Sequence, residues 1–212
     1  MNQIIFECET ITPMFMYGAD GKTPELRPTS VKGVMRFWWR AINGHLSLIE
    51  LKKQEDEIFG STEKKSSFSI KIEDYKFKEN YIPKNHKFTI EFLLSNRCDF
   101  DVQSFFELIV ILGLFGQKGK GKQKTQGSIK ILKINDIDYK QVIDLDYIYL
   151  LIQKATSNYS KKRFKIENKE AKEKYPLVKD ISISRDNQLF INFLHSNKLK
   201  TIKKKLGEYN NG

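Results

Sequence analysis

Both tryptophans of this chain stand among cations in one short segment. Residues 24–40 hold its basic and aromatic side chains: Arg27, Lys32, Arg36, Phe37, Trp38, Trp39 and Arg40. A helix that begins near Ser30 would present one polar side, made of Lys32, Arg36, Trp39, Arg40 and Asn43. Guanidinium groups beside an exposed indole suit phosphates and unstacked bases. The segment therefore predicts a site for single-stranded nucleic acid, and the alternative is a basic helix face that is merely solvated.

The opposite side of this predicted helix is apolar and belongs to the core. It carries Val31, Val34, Trp38, Ala41, Ile42 and His45 at helical spacing. Thr29 or Ser30 is the predicted cap, with Pro28 just before it, and the helix should end near Asn43. Gly33 costs a helix about 1 kcal/mol relative to alanine, which suggests that another group approaches the backbone there.

A second basic segment, the glycine and lysine loop 116–127, contains four glycines and no acid. Its four cations are Lys118, Lys120, Lys122 and Lys124. Glycine backbone and lysine charge together suit phosphates. The loop is not a nucleotide-binding P-loop, because it follows a helix and Lys122 precedes glutamine rather than serine or threonine. The alternative interpretation is a polar linker.

Composition points to a globular protein with a polyanionic partner. The 212 residues carry a net charge of +11 with a pI near 9.4, and 40% are hydrophobic. No apolar run is long enough for a membrane span, and the first residues lack a signal-peptide layout, so we expect a cytoplasmic protein. We expect Cys8 and Cys98 to be buried as small hydrophobic residues rather than joined in a disulfide. Neither CxxC nor HxxxH occurs, and we expect no metal or cofactor.

Hydrophobic periodicity predicts an α+β, ferredoxin-like (RRM-like) module over residues 1–135. Strand, helix, strand, strand, helix and strand follow in order, so two helices should cover one face of an antiparallel sheet. A short helix is expected within 46–59. Residues 136–212 should form an incomplete or degenerate second module, or a mixed helical and strand extension. Its expected elements are a helix over 147–154, a strand pair over 181–184 and 189–193, and a basic tail over 198–205.

Several motifs resemble those of a known protein family. They are Thr12-Pro13 to Gly18-Ala19-Asp20, Pro24-Glu25-Leu26-Arg27-Pro28, Ser30-Val31-Lys32-Gly33 leading into Arg36-Phe37-Trp38-Trp39-Arg40, Ile58-Phe59-Gly60-Ser61-Thr62, and the loop closing at Gly127-Ser128. In this order they resemble the first-subunit family of the type III-B CRISPR effector, the Cmr complex, within the RAMP superfamily. Members usually have two full modules and more arginine in the glycine-rich loop, and this chain departs from both patterns.

The resemblance implies a non-catalytic subunit that takes part in antiviral defence by binding guide RNA near its 3′ end. Target RNA and other RAMP subunits are the further partners. We expect the RNA contacts at Arg27, Ser30, Lys32, Gly33, Arg36, Trp39, Arg40, Lys118, Lys120, Lys122 and Lys124. Trp39 is the predicted stacking platform, with Tyr17 as another candidate.

Three alternatives remain at this stage. Some RAMP relatives cut CRISPR RNA by acid–base chemistry, for which His45 is the candidate here, although it continues the apolar stripe. Asp20 resembles the loop aspartate with which some RAMP subunits cleave target RNA, but its surroundings favour a turn in which it binds nearby backbone. The basic tail could bind a membrane surface, yet it carries too few apolar residues for that role.

Overall fold

The computed structural model describes residues 2–73, 77–113, 115, 127–156, 159–160, 163–164, 174–196 and 198–206. The elements follow in the order β1 (Asn2–Thr10), α1 (Pro28–Ile42), α2 (Leu48–Phe59), β2 (Phe68–Ile72), β3 (Lys87–Leu94), α3 (Val102–Leu112), β4 (Ile129–Ile134), β5 (Ile137–Asp138), α4 (Leu145–Ala155), β6 (Tyr159–Ser160), β7 (Arg163–Phe164), β8 (Leu177–Ile183), β9 (Gln188–His195) and β10 (Lys198–Lys205). The lysines of the glycine and lysine loop, residues 118, 120, 122 and 124, lie outside the described residues.

The larger sheet has the strand order β2-β3-β1-β4-β5, and every neighbouring pair is antiparallel. Its first four strands have the order of a ferredoxin-like module, as predicted. Strand β1 lies at the centre, paired with β3 on one side and β4 on the other. Its alternate residues Phe6 and Cys8 are fully buried. The Phe6 ring lies 4.7 Å from Phe106 on α3 and 5.7 Å from Phe92 on β3, so sheet and helix share one aromatic core.

Helix α3 is buried on nearly every side, from Val102 to Leu112. Asp101 caps its N-terminus, where the carboxylate accepts the Ser104 N–H at 2.9 Å, as the sequence predicted. Helix α1 begins earlier than predicted. Its N-cap is Arg27, which makes no side-chain capping bond, and Pro28 occupies the first turn, where its fixed φ and missing N–H are tolerated. The predicted cap at Thr29 or Ser30 is therefore wrong.

A smaller antiparallel sheet, with the order β10-β9-β8, packs against α1 and α4. Trp38 of α1 packs against Phe193 of β9 with 5.4 Å between ring centroids. The Tyr149 hydroxyl of α4 donates to the Ile181 carbonyl of β8 at 3.2 Å. The predicted strand pair is confirmed, with Asn187 in a left-handed turn conformation between the strands. The α+β fold with a second, smaller sheet is thus confirmed, and the domain division at residue 135 stays a prediction.

Two further expectations concern the chain as a whole. Both cysteines are free, with Cys8 fully buried, and burial raises the pKa of its thiol. Within the described residues, none of the helices has the length and apolar character needed to cross a bilayer.

Candidate nucleic-acid interface

Three cations stand four residues apart on α1 and form a row along one side of the helix. We call Lys32, Arg36 and Arg40 the cation row. All three side chains are half-buried. Each is held by a partner from α2, from the turn after it or from β2, so the row is oriented before any ligand arrives. A preordered cation loses less conformational entropy when it binds a phosphate.

Arg36 is held by the C-terminal end of α2. Its Nη2 donates to the carbonyls of Phe59, at 3.1 Å, and Gly60. The last carbonyls of a helix lack partners within it and carry the negative end of the helix dipole, which explains why a guanidinium settles there. The Arg36 guanidinium also lies 5.8 Å from the centre of the Phe59 ring.

Arg36 also lies 3.8 Å from the Glu55 carboxylate, which it shares with Arg40, whereas Lys32 has a carbonyl partner. Arg40 Nη1 lies 2.8 Å from the Glu55 carboxylate of α2, which is itself buried. Lys32 Nζ lies 3.4 Å from the Phe68 carbonyl of β2, and burial, aided by the Arg36 charge, lowers its pKa. A guanidinium has five N–H donors, so Arg36 and Arg40 keep donors for a further acceptor.

Trp39 does not face solvent, and the prediction that it does is wrong. Its exposed fraction is 2%, and its ring packs 6.3 Å from Phe59 of α2. Asn43, which was expected on the same polar side, is also buried and donates to the Trp39 carbonyl at 2.8 Å. The physical reason for Trp39 is α2, which packs across this part of α1, whereas the Asn43 amide oxygen accepts the Thr156 hydroxyl just beyond α4. No base can stack on Trp39 in this conformation, whereas the predicted burial of Trp38 is confirmed.

The N-terminal end of α1 carries the remaining predicted contacts within the described residues. Arg27 is about one-third exposed and lies 3.8 Å from Glu25. Ser30 is half-buried and Gly33 is exposed. The first turn of α1 has neither a capping side chain nor an acidic residue, so the positive end of its dipole is not neutralised locally. A Cβ added at Gly33 would meet no atom within 4 Å, so the backbone is open to an incoming group.

Tyr175 is an aromatic neighbour of the cation row that sequence reasoning missed. The Arg40 guanidinium lies 5.0 Å from the centre of its ring. Tyr175 is half-buried and lines a cleft of about 200 Å³ together with Lys52, Lys174 and apolar residues of α2. Its place between Lys174 and Pro176 was the available signal, but nothing in the sequence showed that it meets Arg40, 135 positions earlier.

The loop after β1 holds Asp20 in a turn, as predicted. Its Oδ1 accepts the N–H groups of Lys22 and Thr23, both at 2.9 Å, and Oδ2 accepts the Thr23 hydroxyl at 2.5 Å. These hydrogen bonds, led by that of the Thr23 side chain, lower the pKa of Asp20 to about 2.

His45 lies half-buried just beyond α1. No group of three His, Cys, Asp or Glu residues in the described part of the chain could hold a metal ion.

The outer face of the larger sheet is not an aromatic platform of the RNA-recognition type. Its charged side chains pair across strands: Lys130 with Glu9 at 3.2 Å, Lys133 with Glu7 at 3.5 Å and Lys71 with Glu91 at 3.8 Å. RRM domains instead stack bases on aromatic residues of this face. The candidate site is therefore the cation row and the N-terminal end of α1.

Comparison with known proteins relates this architecture to CRISPR subunits. Cmr1-2, a CRISPR system Cmr subunit of Pyrococcus furiosus, is 47% identical over 76 residues, which are 34% of this chain and 41% of that protein. Cmr1-1 of the same organism is 37% identical over 71 residues, 32% of this chain and 21% of that protein. The matches thus span less than half of either relative's length.

Solved structures share the fold at lower sequence identity. The crystal structure of apo Cmr1 from Pyrococcus furiosus has a TM-score of 0.52 and 22% identity, covering 64% of this chain and 51% of that chain. A chain of the type III-B Cmr-beta structure bound to cognate target RNA has a TM-score of 0.54 and 12% identity, covering 90% and 70%. The family model of the RAMP superfamily matches residues 7–209, and the chain therefore belongs to the RAMP superfamily.

Proposed function

We propose that this chain is a non-catalytic guide-RNA-binding subunit of a type III-B CRISPR effector complex. It would bind the RNA near its 3′ end, pack against other RAMP subunits and act in the cytoplasm. The observation that carries the proposal is the cation row, three half-buried cations held in place along α1. Support comes from relatives that are named as Cmr subunits and from a similar structure bound to target RNA.

The geometry favours binding to a sugar–phosphate backbone over reading of bases. Residues four apart on a helix are about 6 Å apart along its axis, which matches the spacing of phosphates in an extended single strand to within the reach of an arginine. Gly33 leaves the helix backbone open between Lys32 and Arg36. Tyr175 offers an aromatic face beside Arg40, in the place that the sequence had suggested for Trp39. The lysines of the 116–127 loop remain proposed contacts.

The test is the salt dependence of RNA binding by the full chain. The probe is a fluorescein-labelled single-stranded RNA copied from a CRISPR repeat, with oligo-uridine for comparison. For the double variant Arg36→Ala/Arg40→Ala, we expect weaker binding and a slope of log K against log salt that falls by about 0.7 for each lost phosphate contact. Both RNAs should be affected alike, since phosphate contacts carry no sequence information.

A charge-matched control variant distinguishes the loss of specific phosphate contacts from the loss of net positive charge. Lys71→Ala/Lys133→Ala removes two cations from the outer face of the larger sheet and should leave the slope unchanged. Because Arg36 also binds the last carbonyls of α2, thermal melts must first show that each variant is folded. An unchanged slope in the arginine variant removes the cation row from the interface. RNA cleavage that disappears in His45→Ala would instead support an endoribonuclease.

A further inference from the structure

A second cleft, separate from the candidate RNA site, opens between α3, α4 and the edge of the larger sheet. Its volume is about 390 Å³, and it is lined by side chains of α3, of α4 and of the hairpin formed by β4 and β5. None of the predicted RNA contacts that the structure describes lines it. The two-residue strand β5, Ile137–Asp138, forms the edge of the sheet here.

Glu107 of α3 places a carboxylate at this cleft. The residue is 4% exposed and accepts hydrogen bonds from Tyr147 at 2.5 Å, Tyr139 at 3.1 Å and Gln103 at 3.2 Å. A carboxylate offers about four acceptor positions, so three donors leave one unused. Burial, together with the nearby Glu107 charge, raises the pKa of both tyrosines, which therefore stay protonated at neutral pH.

Lys154 lines this cleft, but no ion pair in the described part of the chain links it or any other cation to Glu107. Hydroxyl and amide donors satisfy a carboxylate without neutralising it. In a chain of net charge +11, a buried acid with only neutral donors is an unusual feature, and a cation from outside would complete it.

Exposed apolar side chains accompany the cleft. Ile137, Val142 and Leu150 are 73%, 65% and 45% exposed, and they belong to β5, to the connection that follows it and to α4. They are three of the five strongly exposed large apolar residues in the described ranges; the other two are Ile49 and Leu199. Ile137 lines the cleft itself, while Val142 and Leu150 lie on the segments that follow β5. Exposed apolar surface of this kind marks protein interaction surfaces.

We propose that this cleft is a docking site for a neighbouring protein subunit, which inserts an arginine side chain toward Glu107 and covers Ile137 and Leu150 with apolar residues. A guanidinium fits the chemistry better than an ammonium, because it is weakly hydrated and can donate to the carboxylate and a tyrosine oxygen together. The inference depends on the proposed function only for the identity of the partner, another subunit of the same effector complex.

The test measures binding of the full chain to the effector complex assembled from the other subunits and guide RNA without it. Ile137→Glu places a charged side chain at an exposed position where the proposal puts apolar contacts, and Glu107→Gln removes the buried charge. We expect Glu107→Gln to weaken binding about tenfold or more, as when one partner of a buried charge pair is lost. Ile137→Glu should weaken binding as well, because its carboxylate would be buried against apolar residues of the partner. Leu199→Glu, at an exposed apolar position on β10, is the matched control and should bind as wild type.

A photo-crosslinking amino acid at position 137 identifies the occupant. A cross-linked partner peptide that contains arginine supports the inference. Cross-links to RNA or to a second copy of this chain overturn it, as does wild-type affinity of both variants. The salt slope of RNA binding by the isolated chain should not change in Ile137→Glu, so loss of docking and failure of the proposed RNA function give different results.

Discussion

At Gly33, a glycine is unfavourable for the stability of the folded protein but favourable for the proposed RNA complex. It lies on the exposed side of α1 between Lys32 and Arg36, and a side chain there would meet nothing within 4 Å. Glycine inside a helix is destabilising by about 1 kcal/mol relative to alanine. The free protein therefore keeps a glycine that its own packing does not require.

For Gly33→Ala we expect a free energy of unfolding that rises by up to about 1 kcal/mol, measured by urea unfolding. If an RNA backbone approaches α1 here, the same variant binds RNA more weakly, measured by fluorescence anisotropy. Gln54→Ala, on the exposed side of α2, serves as the control, since it adds an alanine to a helix outside the cation row. Unchanged or tighter RNA binding by Gly33→Ala would contradict an RNA contact at this glycine.

At the scale of single residues, local chemistry was predictable, and burial was predictable for the apolar side of α1 but not for its polar side. The Asp20 turn follows from short-range hydrogen bonds between neighbours in sequence, and the structure has it. The prediction that Trp39 is exposed failed because helical periodicity gives the direction of a side chain but not what lies in that direction. Two of the five residues on the polar side inferred for α1, Trp39 and Asn43, are buried, and Tyr175 reaches Arg40 from a distant part of the chain.

Helix α2 is the element that turns the basic side of α1 into an ordered row. Its start was readable, because Ser47 and Glu50 form a capping box in which each side chain binds the other's backbone N–H. These hydrogen bonds with Ser47 lower the pKa of Glu50. The position of α2 against α1 could not be predicted from the sequence, since it depends on the burial of Leu51 and Phe59 in the common core.

Strand β10 shows a similar long-range contact, made by one lysine. Lys204 is 7% exposed, and its amine donates to the carbonyls of Val110 at 2.8 Å and Gly113 at 3.0 Å at the C-terminal end of α3. Burial lowers the pKa of Lys204 to about 7. The sequence indicated only a basic tail, in which this lysine looks like its neighbours.

The lowered pKa of Lys204 predicts a specific pH dependence of stability. In the unfolded chain a lysine titrates near pH 10.4, so between about pH 7 and 10 the unfolded state binds a proton that the folded state does not. The free energy of unfolding should rise with pH across this window and lose that contribution as the pH falls toward 7. Within the window the slope approaches about 1.4 kcal/mol per pH unit.

The measurement compares wild type with Lys204→Met by urea unfolding at several pH values from 6.5 to 10. Methionine keeps the apolar length of the side chain and removes the titrating amine. The difference between the two proteins should grow with pH, while contributions from Cys8 and the buried tyrosines, shared by both proteins, cancel. A flat difference would mean that the amine stays charged in the folded protein, favoured by the two carbonyls and the helix dipole.

On the scale of the whole molecule, the two sheets and the helices between them share one hydrophobic core. Buried residues of the larger sheet, such as Phe6, belong to the same cluster as Ile191 and Phe193 of the smaller one. Helix α3 is buried on almost all sides. Its Phe106 packs against Phe6 of the larger sheet, and its Val110 carbonyl accepts from Lys204 of the smaller sheet. The order of the first module was predictable from periodicity, whereas this shared core was not, because it depends on contacts between residues far apart in sequence.

The shared core predicts that the two halves fold together. A fragment of residues 1–135 would expose Trp38, which packs on Phe193, and much of α3, so it should lack a cooperative transition and bind a hydrophobic dye. The full chain should unfold in one transition seen alike by far-UV circular dichroism and by tryptophan fluorescence, which reports α1 alone because both tryptophans lie there. Removal of only residues 207–212 is the control and should leave this transition unchanged. A sharp, reversible melt of the 1–135 fragment would establish it as an independent domain and confine the role of the smaller sheet to interactions with other molecules.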